Sequence, residues 1–203
     1  MRYQKGIWIP KKDTWKVWSK NYEIKAYNKL QLKGDLCLDI GSHVGIWSKR
    51  LSKDFNKVIC FEPLQKHIDC HMRNCGNLNN IELYEYALSN EEIQTEMITI
   101  DYNSGMSSFV EKKFKEPISK VIVNTKTLDS FNLPKVDFMK IDVEGYEKNV
   151  IMGGEKTIKK YHPKIYMEVW DKNLKSITKI MNSMGYSVNK FISNNYLCEW
   201  VGT

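Results

Sequence analysis

The sequence predicts an α/β fold, a mostly parallel sheet with helices on both faces. Short apolar runs alternate with stretches of helix-forming residues, a pattern typical of strands joined by crossover helices. With 203 residues, 42% hydrophobic and 27% charged, the chain can build one domain around a buried core. No apolar run approaches the roughly 18 residues of a membrane span, and Met1–Gly6 lacks the apolar region of a signal peptide. We therefore expect a single domain over residues 1–203, and leave open whether it is a module of a longer polypeptide.

The domain is expected to begin with a helical segment, residues 1–33, in which Asp13 caps a helix over residues 13–30. The core follows over residues 34–203. Its strands are predicted at 36–41, 57–62, 81–87, 136–141, 164–169, 186–191 and 196–201, and its helices at 44–55, 64–75, 146–161 and 174–184. Two more β-rich runs, 96–102 and 121–127, flank the polar stretch Asn103–Ser108 and predict an inserted hairpin or loop near the site.

The net charge of +7 does not by itself indicate a nucleic-acid partner. Arg2, Arg50 and Arg73 are the only arginines among 31 basic residues, and the lysines are scattered. Recognition of guanine or phosphate by paired hydrogen bonds favours the arginine fork over the point charge of lysine. The charge therefore predicts a solvated basic surface that tolerates anionic partners, with nucleic acid disfavoured.

The five cysteines are odd in number and lack the even spacing of a disulfide framework, which predicts a reducing, cytoplasmic compartment. His67, His71 and Cys75 are spaced to share one helix face, and a zinc site there is the alternative to ordinary helix residues. No second cysteine pair follows at zinc-finger spacing, so the zinc site is the less favoured interpretation.

The stretch Asp39–Gly45 lies after a strand and before a helix, where a ligand-binding turn is expected. Gly41 permits a tight turn and Gly45 a close approach of the backbone to a ligand. The helix that follows presents free amides and a positive dipole to a carboxylate or phosphate. His43 stands where a dinucleotide-binding loop would have its second glycine, which weakens a nicotinamide or flavin interpretation.

Polar residues end the other strands as well. Glu62 follows the second strand, where a carboxylate can bind both hydroxyls of a ribose; capping the next helix is its alternative role. The small residues of Ala87–Ser89 would leave room for an adenine ring at the end of the third. Lys140–Gly145 and Glu168–Asp171 end the fourth and fifth strands. Ligands of open α/β sheets bind beyond the carboxyl ends of the strands, so these side chains should meet in one crevice.

These strings resemble the FkbM-type S-adenosylmethionine-dependent O-methyltransferases. The resemblance covers roughly residues 34–170 and is carried by Asp39–Gly45, Phe61–Pro63, Met167–Val169 and most specifically Lys140–Glu147, with a further similarity at Gly105–Phe109. It implies a Rossmann-like class I methyltransferase with a seven-stranded, mostly parallel sheet whose last strand is antiparallel. It also implies methyl transfer to a hydroxyl, often on a sugar or polyketide. The expected cofactor-binding residues are Asp39, Gly41, Ser42, His43, Gly45, Glu62, Pro63, Ala87, Leu88 and Ser108.

A hydroxyl is a poor nucleophile and needs a base or a metal to help remove its proton. Asp142 and Glu144 are the candidate bases, and His43 and His67 are further ones, of which His43 is the better. Asp142 and Glu168 could instead bind Mg²⁺ or Mn²⁺ through oxygen. Lys140 is a candidate partner of these carboxylates or of an anionic substrate group, with a solvated lysine as the alternative.

The side chains around these candidates have simpler roles as well. Glu144 could merely cap the following helix, and Glu147 in its first turn is expected to be a surface residue. Trp47, Tyr146 and Trp170 could stack on a sugar face, although core packing is the more common role of such aromatic residues.

The leading interpretation is a methyltransferase that acts on a sugar hydroxyl of a glycan or glycoconjugate, for example on a deoxyhexose such as rhamnose. An RNA methyltransferase and a non-catalytic nucleotide- or sugar-binding domain are the alternatives. The sequence does not specify the oligomeric state.

Overall fold

The computed structural model describes residues 1–14, 21–100, 102–110 and 118–202, and of residues 21–23 it describes only the backbone. Strands β1 (Arg2–Gln4) and β2 (Ile7–Ile9) form an antiparallel hairpin, and helix α1 spans Asn21–Leu30. The remaining elements are β3 (Gly34–Ile40), α2 (Ile46–Leu51), β4 (Phe55–Phe61), α3 (Gln65–Cys75), β5 (Ile81–Tyr84), β6 (Ala87–Leu88), β7 (Gln94–Ile100), β8 (Ile118–Lys126), β9 (Phe138–Ile141), α4 (Glu147–Gly153), α5 (Glu155–Tyr161), β10 (Lys164–Glu168), α6 (Asp171–Ser183), β11 (Tyr186–Ile192) and β12 (Asn195–Trp200).

Seven strands form the central sheet, in the order β11-β12-β10-β9-β3-β4-β5. The pairs β10–β9, β9–β3, β3–β4 and β4–β5 are parallel. The last strand, β12, runs antiparallel to both of its neighbours. The predicted class I methyltransferase sheet with an antiparallel last strand is therefore confirmed.

Both faces of this sheet are buried by helices, as expected for a parallel sheet whose strands read as continuous apolar runs. On one face, Leu38, Met139 and Ile165 pack with residues of α4, α5 and α6. On the other, strand residues pack with α1 and α2, the whole group being Cys37, Phe55, Val58, Cys60, Phe138, Tyr166, Ala26, Leu30, Trp47 and Leu51. None of the described helices is both long and apolar enough to cross a membrane.

The predicted inserted hairpin is present. β7 pairs antiparallel with β8 over seven residues, and β6 pairs parallel with β8 to complete a second, three-stranded sheet. Ser108 returns to β7 through two backbone hydrogen bonds with Ile98, of 2.9 and 3.0 Å. The interpretation of Ala87–Leu88 as the end of the third strand was wrong, because these residues leave the central sheet after β5 and pair with β8 instead.

Three other boundaries differ from the sequence prediction. The N-terminal segment is only partly helical, since its first residues form the β1–β2 hairpin; the part of the predicted helix at 15–20 lies outside the described residues. Helix α2 ends early because Phe55 already pairs with Gly34 as the first residue of β4. The predicted helix 146–161 is divided at Gly154, where adjacent glycines have low helix propensity.

Candidate functional site

The carboxyl ends of β3, β4 and β9 meet at a cavity of about 320 Å³, closed on its far side by the segment 103–109. Ten of the predicted site residues line it, namely Gly41, Ser42, His43, Glu62, Pro63, Ala87, Leu88, Lys140, Asp142 and Glu144. Four others, Asp39, Gly45, Ser108 and Glu168, do not. The structure thus brings most of the candidates together in one crevice.

Gly41 is required by contact between two strand ends. Its φ is +72°, and a Cβ at this position would overlap the backbone carbonyl oxygen of Asp142. Only glycine combines this left-handed conformation with so close an approach. The turn after β3 carries the Asp39–Gly45 motif, and the turn after β9 carries the Lys140–Glu147 motif. The two turns are therefore packed directly against each other.

Gly45 and Asp39 do not line the cavity, and both contact other parts of the protein instead. A Cβ on Gly45, with φ of +85°, would meet Cys75 Sγ at 2.7 Å and His71 Cδ2 at 2.9 Å, so the close approach is to α3 and not to a ligand as predicted. The fully buried Asp39 accepts a hydrogen bond from Ser48 Oγ at 2.6 Å and lies 3.4 Å from Lys140 Nζ.

Glu62 lies in the cavity wall with its carboxylate held from several directions. Oε1 accepts hydrogen bonds from Leu64 N and His67 Nδ1, and Oε2 accepts one from His43 N, all at 3.0 Å. Burial alone would raise the pKa of Glu62, but the charge of His67 and these hydrogen bonds hold it below its usual value. Oε2 has one further acceptor position, so Glu62 has room for one hydrogen bond from a ligand there, whereas the sequence predicted that it binds both ribose hydroxyls.

Sequence reasoning missed two residues, Ser104 and Asp13, that connect to this glutamate through His67. His67 Nε2 lies 2.7 Å from Ser104 Oγ, which donates a hydrogen bond to Asp13 Oδ2 at 2.6 Å. Asp13 was interpreted as a helix cap, and residues 15–20, which would contain the capped amides, lie outside the described structure. No sequence signal joins Asp13 to Ser104, which lies 91 residues along the chain.

Lys140 is buried at the end of β9, so the alternative of a solvated lysine was wrong. Its Nζ donates a hydrogen bond to the Gly41 carbonyl oxygen at 2.9 Å. The same ammonium lies 3.4 Å from Asp39 Oδ1 and 3.5 Å from Asp142 Oδ2. Lys140 thus links the ends of β3 and β9 and fixes the side chain of Asp142.

Glu168, at the end of β10, lies close to Asp142 and Glu144. One carboxylate oxygen of each residue lies within 4.8 Å of the others, and all three residues are partly exposed. Glu144 adopts a left-handed φ of +55°, and its carbonyl oxygen accepts a hydrogen bond from Ser108 Oγ at 2.8 Å. Ser108, predicted to bind cofactor, therefore fixes the loop that presents Glu144.

Glu147 is fully buried, so its prediction as a surface residue was wrong. Its Oε1 accepts a hydrogen bond from Gly145 N at 2.8 Å, while no partner for Oε2 is found among the described residues. Burial, opposed by the backbone hydrogen bonds and reinforced by the charges of Asp142 and Glu144, raises the pKa of Glu147 to about 7.

The zinc alternative is not supported by the arrangement of His67, His71 and Cys75. His67 is bonded to Glu62 and Ser104, His71 Nε2 lies 3.0 Å from Ser48 Oγ, and Cys75 Sγ contacts the Gly45 carbonyl oxygen. Within the described residues, the one group with the spacing of a metal site is Asp142, Glu144 and Glu168.

The comparisons with known proteins agree with this arrangement. A model of the FkbM methyltransferase domain matches residues 39–188, which contain most of the cavity lining. The chain belongs to the FkbM methyltransferase family. Membership makes it an enzyme of the S-adenosylmethionine-dependent methyltransferase class, as the sequence motifs predicted.

Individual relatives match at lower similarity. The chain is 28% identical over 167 residues to 2-O-methyltransferase NoeI of Sinorhizobium fredii, an alignment that covers 71% of this chain and 67% of NoeI. A crystal structure of methyltransferase FkbM from Methylobacillus flagellatus KT superposes with a TM-score of 0.61 at 16% identity, over 82% of this chain and only 44% of that one. SMU.1697c from Streptococcus mutans, solved in complex with SAH, superposes with a TM-score of 0.55 at 11% identity, over 87% of this chain and 94% of that one. At these identities the two structures show a shared fold.

The cavity wall of the family member fits S-adenosylmethionine. The hydroxyl of Ser42 is buried, lines the cavity and has no hydrogen-bond partner in the described structure. Among the described residues, Glu62 Oε2 accepts one hydrogen bond, from His43 N. These are the acceptor and donor groups that the ribose and amino-acid portions of the cofactor would need.

Proposed function

We propose that the protein transfers a methyl group from S-adenosylmethionine to a hydroxyl of a sugar, within a glycan or glycoconjugate. The observation that carries the proposal is the position of Asp142 and Glu144 on the wall of the same cavity as Glu62 and Ser42. One side of that cavity offers groups for the donor, and the other offers carboxylates for the acceptor hydroxyl.

On the donor side, Glu62 is the proposed partner of a ribose hydroxyl through Oε2. Ser42 is the proposed partner of another polar group of the donor, because its buried hydroxyl has no partner within the described part of the chain. Ala87 and Leu88, although they belong to the second sheet, still line the cavity and offer apolar surface for the adenine ring. When bound, the donor supplies a methyl group on a positively charged sulfur.

On the acceptor side, Asp142 is the proposed base. Asp142 would hold the acceptor hydroxyl and accept its proton as that oxygen is methylated. Lys140 Nζ, 3.5 Å from Asp142 Oδ2, orients that carboxylate. Glu144 is the second candidate, and His43, whose ring packs on His67 with centroids 4.2 Å apart, is the third.

A relative and one aromatic side chain support a sugar as the acceptor. The relative NoeI is a 2-O-methyltransferase by name, and Tyr146 lines the cavity beside the acidic group. Trp47 belongs to the core packing against Tyr166, with ring centroids 5.3 Å apart, and Trp170 packs over Gly145. We propose glycans that contain a deoxyhexose such as rhamnose as the first acceptors to test.

The direct test is incubation with S-adenosylmethionine and a panel of glycans and RNAs, read by mass spectrometry. We expect a gain of one methylene mass on a glycan. The same gain on RNA alone would establish the alternative RNA methyltransferase. Tight binding of S-adenosylhomocysteine without any methylated product across the panel would favour a non-catalytic binding domain.

A metal-assisted reaction is the second candidate mechanism, and the spacing of Asp142, Glu144 and Glu168 favours it. Carboxylate oxygens at this separation are ligands that Mg²⁺ and Mn²⁺ accept. If an ion takes part, excess chelator should suppress turnover and added Mg²⁺ or Mn²⁺ should restore it. Full activity in chelator would leave direct base catalysis.

A further inference from the structure

A chain of buried hydrogen bonds runs from the N-terminal segment to the cavity wall. Asp13, Ser104, His67 and Glu62 are each at most 5% exposed. The links are 2.6 Å from Ser104 Oγ to Asp13 Oδ2, 2.7 Å from Ser104 Oγ to His67 Nε2, and 3.0 Å from His67 Nδ1 to Glu62 Oε1. The four residues come from three separate parts of the chain, since Glu62 and His67 are only five residues apart, and we call them the buried relay.

The positions of the hydrogen atoms in the buried relay follow from counting its donors and acceptors. The single hydroxyl hydrogen of Ser104 is directed to Asp13, and the Ser104 amide donates to the other oxygen of the same carboxylate at 3.2 Å. His67 Nε2 therefore faces an oxygen lone pair, and Nδ1 faces the carboxylate of Glu62. Both ring nitrogens then donate, which is the hydrogen-bonding pattern of a protonated imidazole.

The arrangement of charge is consistent with this assignment. The groups that face His67 are the carboxylates of Glu62 and, through Ser104, Asp13, together with the ring of His43 packed edge-on. A buried positive charge between two carboxylates is compensated, whereas two buried carboxylates around a neutral ring would repel each other. A nucleophilic role for Ser104 does not fit, since its hydrogen goes to Asp13 and not to His67.

We propose that Asp13, Ser104 and His67 are positioning residues for the cofactor, acting through Glu62. With Oε1 occupied by His67 and the Leu64 amide, the carboxylate is turned so that Oε2 remains available on the cavity side. The same links hold the segment 103–107 across the cavity, since Asn103, Ser104, Gly105, Met106 and Ser107 all line it. The proposal rests on the proposed role of Glu62 in binding the donor.

The first test needs neither donor nor acceptor. In the full chain labelled with ¹⁵N-histidine, His67 is assigned by comparison with His67→Gln. We expect both ring nitrogens of His67 to show protonated ¹⁵N shifts at neutral pH, and one of them to lose its proton in Asp13→Asn. A single protonated nitrogen in the unmodified protein would overturn the buried relay.

The second test measures S-adenosylhomocysteine affinity by calorimetry. Asp13→Asn and Ser104→Ala should each weaken binding at least about fivefold. Asp13 does not line the cavity, so a loss in Asp13→Asn must act through Ser104 and His67. The control is Asp129→Asn, which removes a remote carboxylate that accepts hydrogen bonds from Lys156 N, Thr157 N and Thr157 Oγ1. It should lower stability and leave affinity unchanged.

The outcomes separate the two proposals. Affinity within twofold of the unmodified protein in both Asp13→Asn and Ser104→Ala would overturn the positioning role. An equal loss in Asp129→Asn would also overturn it, because general destabilisation would then explain the effect. Absence of S-adenosylhomocysteine binding by the unmodified protein, with His67 doubly protonated, would reject the proposed function and retain the buried relay.

Discussion

Two buried glutamates, one on the cavity wall and one at the start of α4, have opposite electrostatic surroundings. Glu62, at the end of β4, is 5% exposed and accepts three hydrogen bonds, and its pKa is lowered. Glu147, at the start of α4, is fully buried and accepts one from Gly145, and its pKa is raised to about 7. Burial is common to both, so the number of donors and the sign of the neighbouring charge decide the direction.

The difference extends to the two sides of the site. On the donor side, each carboxylate oxygen of Glu62 already has a protein donor. The acceptor side collects Asp142, Glu144 and Glu168 within 4.8 Å and presents one of them on left-handed backbone. Such strain and charge crowding are typical of the chemical part of a site. We infer that the donor side binds and the acceptor side reacts.

The largest expected effect comes from removing the base on the acceptor side. Asp142→Asn or Glu144→Gln should lower the single-turnover rate of methyl transfer by about a hundredfold to ten-thousandfold, because the amide cannot take a proton. We expect the larger loss in Asp142→Asn. The rate is measured with an acceptor found in the panel; near-normal rates in both variants would move the base to His43.

The packing between the two sides predicts the next largest effect. Gly41→Ala should lower the free energy of unfolding by more than about 3 kcal/mol, because it combines left-handed backbone with overlap of the Asp142 carbonyl oxygen. Gly105→Ala is the matched control, since its Cβ would meet nothing closer than 3.7 Å. Denaturant titration of both variants measures the difference, and equal stability would contradict the described contact.

Glu147 predicts a smaller, pH-dependent effect. Its folded-state pKa of about 7 is above the ordinary value, so the folded protein binds more protons than the unfolded chain between these two values. Stability is therefore lost as the pH rises through this interval. Replacing Glu147 by Gln should remove that loss, so the variant should gain about 2 kcal/mol over the unmodified protein between about pH 5 and about pH 8. If the free energy of unfolding of the two proteins instead changes in parallel with pH, ionisation of Glu147 does not destabilise the fold and the prediction is wrong.

The sequence predicted the features that depend on local pattern and strand order. Glu62, Lys140 and Asp142 each lie at the end of a strand, and parallel strands bring such ends together. The buried relay could not be predicted, because Asp13 and Ser104 meet only through the folded chain. The burial of Glu147 was missed for a related reason, since it depends on how the loop before α4 folds. The amide of Gly145 in that loop donates to Glu147.

For Gly45, the sequence motif was identified correctly but the contact that requires a glycine was assigned to the wrong partner. The sequence identified a glycine at the start of α2, and the structure confirms a φ of +85° there. The space that it leaves is filled by His71 and Cys75 of α3 rather than by a ligand. A close approach to a helix and a close approach to a cofactor require the same residue, so spacing alone cannot separate them.

The central claim is that the donor side binds the cofactor and the acceptor side carries out the reaction. Calorimetric titration of S-adenosylhomocysteine into Glu62→Gln and Asp142→Asn tests it most directly. Glutamine keeps the shape of Glu62 but loses the charged acceptor, whose hydrogen bond to a ligand is worth about 1.5–3 kcal/mol. The account predicts that Glu62→Gln weakens binding at least about tenfold and that Asp142→Asn stays within a few-fold of the unmodified protein. Unchanged affinity in Glu62→Gln, or a greater loss in Asp142→Asn, would contradict it.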